Sequence, residues 1–197
     1  KLQEQMTGKL TVVTNACYSG SFIPTLAAKD RYVLTSTSSD LLAVISNKGG
    51  SNSFSYYFWD EVVFSGRLGF AFTSARQSMS KQLVGGGRVQ KAVLDTNGDR
   101  SETSEDYDRI AQYCYGSCNS KASNPPEIDS VAPHDALNGE LKEKLSLLLS
   151  NSNNTIANAW ATIQRPDYDF PSDDSAINSL PQVQLNCQGS SCGGALD

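Results

Sequence analysis

Residues 9–22 read KLTVVTNACYSGSF. Leu10, Val12 and Val13 make a short apolar run that stops at a Cys-Tyr-Ser-Gly turn over residues 17–20. A second run, RYVLTS over residues 31–36, passes into the polar stretch Thr35 to Ser39. Brief apolar runs of this kind, followed by helical patterns, predict buried parallel strands. Ligands of open α/β sheets bind outside the carboxyl ends of the strands. The small polar residues at both strand ends therefore mark the candidate site.

Cys17 is the reactive group in that stretch. A strand that delivers a thiol to a tight turn of small residues holds the sulfur at the sheet edge and lets a peptide approach the backbone. The Cys17 N–H and its neighbours then point toward a developing oxyanion. The sulfur needs a base, because only the thiolate attacks well and a free thiol titrates near ~8.5. The same layout also suits a buried structural cysteine, since free cysteine behaves as a small hydrophobe.

Working outward, Ser53 predicts a helix start by capping free backbone N–H groups. Phe54, Tyr57, Phe58 and Val62 follow at three- and four-residue spacing, giving one apolar stripe that Gly66 ends. A second helix is predicted from Gly69 to about Leu83, with Phe72, Ala75, Met79 and Leu83 on one face. Gly85-Gly86-Gly87 breaks the chain, and residues 89–94, VQKAVL, read as another short strand.

Beyond residue 95 the composition turns acidic and polar. In DTNGDRSETSED, residues 95–106, Asp95, Asn97, Asp99, Ser101 and Asp106 fall at positions 1, 3, 5, 7 and 12 of an EF-hand-type calcium loop. Oxygens at alternating positions wrap a hard cation, and the last carboxylate closes the shell. Arg100 stands where such loops carry Gly, and Glu102 where they carry an apolar residue. A structural calcium ion and an unliganded acidic loop both fit. After Pro125-Pro126 the segments IDSV, EKLSLLLS, TIANAWATIQ and PQVQL read as strands punctuated by Pro, Asn and Gly, the start of a β-sandwich. The tail QGSSCGGALD is expected to be flexible. Trp160 is expected in the sandwich core, and the sequon Asn153-Asn154-Thr155 carries no argument.

The 39% hydrophobic and 19% charged content suffices for a packed core and excludes wholesale disorder. A net charge of −5 leaves no basic footprint for nucleic acid. The apolar runs are too short to span a bilayer. No signal peptide is visible, and the chain begins with Lys1. Of five cysteines, Cys114 with Cys118 and Cys187 with Cys192 sit close in sequence, with Cys17 left over. Two disulfides, free thiols, or a zinc site built on those four remain the alternatives; two pairs plus one working thiol suit an exported protein.

The segment Ala16-Cys17-Tyr18-Ser19-Gly20-Ser21-Phe22 resembles the nucleophile motif of the caspase-like and legumain-like cysteine peptidases. The next strand, RYVLTSTSS over residues 31–39, and the block SNSFSYYFWDEVVFSGRLGFAFTSARQSM are similar to successive blocks of bacterial legumain-like members. The likeness runs from about Leu10 to Met79 and then more loosely into the Asp-rich loop, about half of the chain. It implies a partial caspase-like α/β domain, a parallel sheet with flanking helices, over residues 1–94. An acidic connector over 95–124 and a partial Ig-like β-sandwich with its tail over 125–197 complete the expected organisation. It implies a cysteine endopeptidase with Cys17 as nucleophile and oxyanion donor, a peptide or protein substrate, and no catalytic cofactor. Loops of the Asp-Asn-Gly-Asp kind follow the catalytic domain in bacterial relatives, which supports calcium there. An exported or cell-surface bacterial setting follows from the same likeness.

Ser36, Thr37, Ser38 and Ser39 are the candidate pocket lining. Asp40 or Asp60 would favour a basic side chain before the cut if either reached that pocket; for Asp60, a solvent-facing helix position is the preferred reading. Two features depart from the family pattern. Asn15 stands where members often carry an acid. The family's base is a His-Gly at the end of the preceding strand, yet none of the sixteen residues before Cys17 is His. The one histidine, His134 in APHDAL, does not match the motif and reads as a solvated loop residue. The expectation is a piece of a longer polypeptide whose N-terminal half supplies the base. Rival readings are a non-catalytic caspase-like scaffold and an exported surface-binding protein.

Overall fold

A computed structural model describes residues 3–46, 52–84, 87–116, 118, 127–132, 143–150, 156, 159–163, 167 and 182–196. Two units divide them: those up to residue 118 belong to the first and those from 127 onward to the second. The structure is mixed α/β. Among the described residues no helix is long and apolar enough to cross a membrane. His134 and the sequon lie outside the described residues.

The first unit is built on a three-stranded sheet. β1 (Leu10–Thr14) pairs in parallel with β2 (Arg31–Thr35), in a register that runs from Leu10 opposite Arg31 to Thr14 opposite Thr35. A single 3-10 turn and α1 (Ile23–Leu26) make the crossover. β2 is central and its Tyr32, Val33, Leu34 and Thr35 are all buried, whereas β1, at the sheet edge, is half-buried throughout. The short pairs β3 (Ile45–Ser46) with β4 (Asn52–Ser53), and β5 (Leu83–Val84) with β6 (Arg88–Val89), lie outside this sheet.

α2 (Phe54–Ser65) starts where the Ser53 side chain accepts the Tyr56 N–H at 3.2 Å. It stops at Gly66, whose φ of 70° is the left-handed conformation glycine adopts at no steric cost. Its buried residues Phe54, Phe58, Val62 and Ser65 follow the helical period and face α3 (Leu68–Met79). Phe54 stacks on Phe58 and meets Phe72 edge-on. α3 ends at Met79, short of the expected Leu83. Leu83 instead pairs with Val89 in the β5–β6 hairpin. The side chain of Leu83 lies outside the described residues.

β7 (Val93–Asp95) completes the sheet on the other side of β2, but antiparallel to it, with Leu34 opposite Leu94. An all-parallel sheet was the expectation. Two helices in series separate β2 from β7, and the second reverses the direction that a one-helix crossover would have set. Mixed sheets with one antiparallel edge strand are common for this reason.

Residues 95–116 also depart from the expected separate connector. α4 (Ser104–Ala111) opens with a capping box between Thr103 and Asp106. Its Ile110 enters the core. A Cβ added to Gly69 of α3 would stand 2.8 Å from the Ala111 backbone, so glycine is what lets α3 and α4 touch. Behind α4, Leu68 N–H donates to Tyr113 O, Tyr115 N–H donates to Gly66 O, and the Tyr113 ring packs edge-on against Tyr32. The segment belongs to the first unit.

The second unit is one antiparallel sheet in the order β10-β11-β12-β9-β8, from β8 (Glu127–Val131), β9 (Glu143–Ser150), β10 (Ala159–Thr162), β11 (Gln182–Gln188) and β12 (Ser191–Leu196). β12 corrects the expected flexible tail. Gly189, at φ 59°, starts a two-residue turn, and the chain returns as a strand paired on both sides. Leu149, Leu185 and Cys192 form a small core with Leu145, Leu147, Ala159, Ala161 and Val183 packed on it. Trp160 is absent from that cluster. It stands opposite Gln184 while its neighbours Ala159 and Ala161 face Leu185 and Val183, because successive side chains of a strand point to opposite faces. Cys187 and Cys192 face each other across the β11–β12 hairpin and are disulfide-bonded, as are Cys114 and Cys118.

Candidate functional site

Cys17 is the one free cysteine, half-buried, three residues past the end of β1. The chain turns there because Tyr18 takes the left-handed conformation, φ 58° and ψ 20°. That conformation is uncommon for a residue with a Cβ, and the surroundings hold it. Tyr18 N–H donates to Leu41 O at 2.8 Å, and Ser19 N–H donates to Ala16 O at 3.3 Å. Ser19 N–H also donates to Thr37 Oγ1 at 3.1 Å, and Thr37 N–H returns a bond to Ser19 Oγ at 3.1 Å. Ser36 Oγ and Thr37 Oγ1 both donate to Ala16 O, at 3.4 and 3.2 Å. Ser36 N–H holds the last carbonyl of β1, Thr14 O, at 2.9 Å.

Ser19, Ser36 and Thr37 are fully buried. Of the four expected pocket residues, Ser36 and Thr37 thus spend their hydroxyls on fastening the cysteine turn to the end of β2. Ser38 is half-buried and Ser39 exposed, so these two present surface. Ser19 escaped the sequence reading. Its signal is only that a hydroxyl follows the turn where two strand ends meet.

Gly20 is required by contact. A Cβ there would lie 2.7 Å from Ser39 N and 2.8 Å from the Ser38 carbonyl carbon. Both neighbours are backbone, which cannot swing aside. We expect Gly20→Ala to cost about 1–3 kcal/mol as an overpacking change and to slow alkylation of Cys17 by iodoacetamide. Urea unfolding and the alkylation rate check this; an unchanged midpoint together with an unchanged rate would show that the turn yields.

The sulfur accepts the Ala43 N–H at 3.4 Å and rests on the core through its buried side. Among the described residues none accepts the Cys17 N–H, the donor expected to face an oxyanion. The Asn15 Oδ1 is buried with no hydrogen-bond partner among them either. Two clefts, one including Gln3, Met6, Lys9 and Arg31 and the other Lys9, Tyr32, Arg109 and Tyr113, do not include Cys17.

Asp40 is exposed and occupied. Ser38 Oγ donates to its Oδ1 at 2.7 Å, and Arg88 donates to Oδ2 at 3.2 Å and to the Asp40 carbonyl at 2.8 Å. The Ser38 hydroxyl first, and the Arg88 charge after it, hold its carboxyl below the ordinary range. Asp60 is exposed on α2, as its helical position predicted.

The acidic loop is internally bonded. Asp95 is fully buried and accepts N–H groups from Gly98, at 2.8 Å, and from Arg100. Burial, then the nearby Asp106 and Asp99 charges, raise its carboxyl above the ordinary range against those two amides. Asn97 Nδ2 donates to Asp99 Oδ2, and Asp99 Oδ1 accepts the Ser101 N–H. Asp106 differs. Its Oδ1 accepts the Thr96 N–H and hydroxyl at 2.7 and 2.9 Å, and its Oδ2 accepts the Thr103 N–H and hydroxyl at 2.8 and 2.9 Å. Four donors fill the acceptor capacity of a carboxylate. Asp95, Asn97, Asp99 and Ser101 retain oxygens of the type a hard cation takes, but Asp106 acts as a helix cap and does not fit the closing position. Among the described residues no three His, Cys, Asp or Glu side chains group as metal ligands.

No protein-family model, curated protein or solved structure matches this chain.

Proposed function

We propose that this chain carries the nucleophile of a cysteine endopeptidase of the caspase and legumain type, with Cys17 as the attacking thiol. One observation supports this above the rest: a free, half-buried thiol sits at the carboxyl end of a strand, in a turn fastened to the end of the next strand. A structural cysteine requires no such fastening.

In the proposed reaction a histidine supplied from outside these 197 residues takes the Cys17 proton. The thiolate attacks the scissile carbonyl carbon, and its C=O pair moves to oxygen as the C–S bond forms. The Cys17 N–H faces that oxyanion. The imidazolium gives its proton to the departing amine, and water then releases the acyl group from sulfur. Ser38 and Ser39 line the approach to the thiol. The second unit is proposed as one sheet of a β-sandwich. Two disulfides support an exported or cell-surface setting. A calcium ion, where bound, is structural and rests on Asp95, Asn97, Asp99 and Ser101, with no part in the thiol chemistry.

The test is labelling of the full polypeptide, upstream segment included, with electrophilic peptide probes bearing Asp, Asn, Arg or Lys before the warhead. We expect labelling by at least one probe and its loss in Cys17→Ala. A folded protein that no probe labels, with or without calcium, would overturn the nucleophile assignment. The 197 residues alone are expected to show no turnover. Turnover that Cys17→Ala abolished would overturn the external base.

A further inference from the structure

We infer that Gln90 is a positioning residue for the Cys17 thiol, acting through the backbone strap of residues 41–44; this rests on the nucleophile reading above and deepens it. Gln90 follows β6, is 1% exposed, and uses both ends of its amide. Its Oε1 accepts the Val44 N–H at 2.7 Å, and its Nε2 donates to Ser36 O at 2.9 Å. Its own N–H donates to Gln82 O at 3.3 Å. One side chain therefore joins the end of β2 to the strap, and its backbone ties both to the segment after α3.

The strap in turn touches the cysteine turn twice. Leu41 O accepts the Tyr18 N–H, and the Ala43 N–H reaches the sulfur. Adjacent amides of the strap thus serve opposite partners, Ala43 the thiol and Val44 the Gln90 carboxamide. Residues 41–44 themselves lie outside any sheet, since β3 begins only at Ile45, so other bonds hold their amides in direction. The two Gln90 bonds do so, with Ser36 as a fixed point, because Ser36 also holds Thr14 O and Ala16 O. A backbone N–H aimed at sulfur stabilises the thiolate more than the thiol. Losing the aim therefore slows attack without removing any group that touches a substrate.

Buried carboxamides are hydrogen-bonded as a rule, so the distinguishing readout is the thiol and not the bonds themselves. Gln90→Met keeps the volume and removes both bonds. We expect iodoacetamide to alkylate Cys17 about three- to tenfold more slowly in that variant at pH 7, the factor that one hydrogen bond's net contribution sets, with its pH–rate profile moved to higher pH. Gln90→Glu, which keeps an acceptor for Val44, should restore part of the rate. A folded Gln90→Met with the parent's rate and profile would overturn the inference. A measurement on the unaltered chain covers the case in which that variant does not fold. The Ala43 amide proton and the Gln90 carboxamide protons, followed by NMR across a pH titration, should track Cys17 ionisation and be still in Cys17→Ser. Failure of both to track it would overturn the inference equally. Neither readout needs peptidase activity, so a failure here is separable from failure of probe labelling.

Discussion

Asp106→Ala is expected to lower the unfolding free energy of the first unit by about 3–5 kcal/mol, from two orphaned donors and a lost cap. Asp106 is fully buried and takes N–H groups from Thr96 and Thr103, which have no other acceptor in the loop. Alanine would leave the Thr96 N–H buried without a partner and remove one arm of the capping box that starts α4. Asp106→Asn, which can accept at one end only, should lose roughly half as much. Urea unfolding followed by Trp59 fluorescence, in a Trp160→Phe background, reports the first unit alone. The same measurement decides how Asp106 relates to calcium. As a cap, it should cost the same with and without calcium in the buffer. A loss that appeared only with calcium would make Asp106 the closing ligand and not the cap.

Phe54→Ala should cost about as much, 3–5 kcal/mol on the scale of large-to-small core changes (~3–5). Phe54 has no exposed surface and lies between Phe58 and Phe72, with ring centroids 5.8 and 5.9 Å away. It therefore joins the first residue of α2 to the middle of α3, and the cavity would open between two helices held apart by their remaining side chains. Such a loss is a large part of the ~5–15 kcal/mol that a domain commands. A midpoint within error of the parent would show that α2 and α3 collapse onto the gap. Val63, on the solvent side of α2 and 87% exposed, is the control and should change stability little on truncation.

The two experiments address different kinds of residue, and the sequence exposed them unequally. Phe54 was visible in the periodic stripe with Phe58 and Val62, and Ser53 and Gly66 marked the ends of the helix that carries it. Asp106 was visible too, but its spacing in DTNGDRSETSED points to a cation, whereas the structure turns it to Thr96 and Thr103. A pattern of carboxylates along a chain cannot show whether a donor waits at each one. Helix α4 went unread although Tyr107 and Ile110, three residues apart, both pack on the core, because the acidic pattern as far as Asp106 reads as a loop.

What the sequence by itself determined is local. The β1 and β2 strands, the cysteine turn between them, the ends of α2, and the strands of the second unit up to β11 are written in runs, caps and glycines, because those forces act over a few residues. What only the tertiary structure decided is pairing across distance. The antiparallel entry of β7 depends on how two helices route the chain, and the return of the tail as β12 depends on free edges offered by β9 and β11. The reach of Gln90 to Val44 and Ser36, 46 and 54 residues away, belongs to the same class. A buried polar side chain takes whatever partner folding brings to it, and nothing in its neighbours along the chain names that partner.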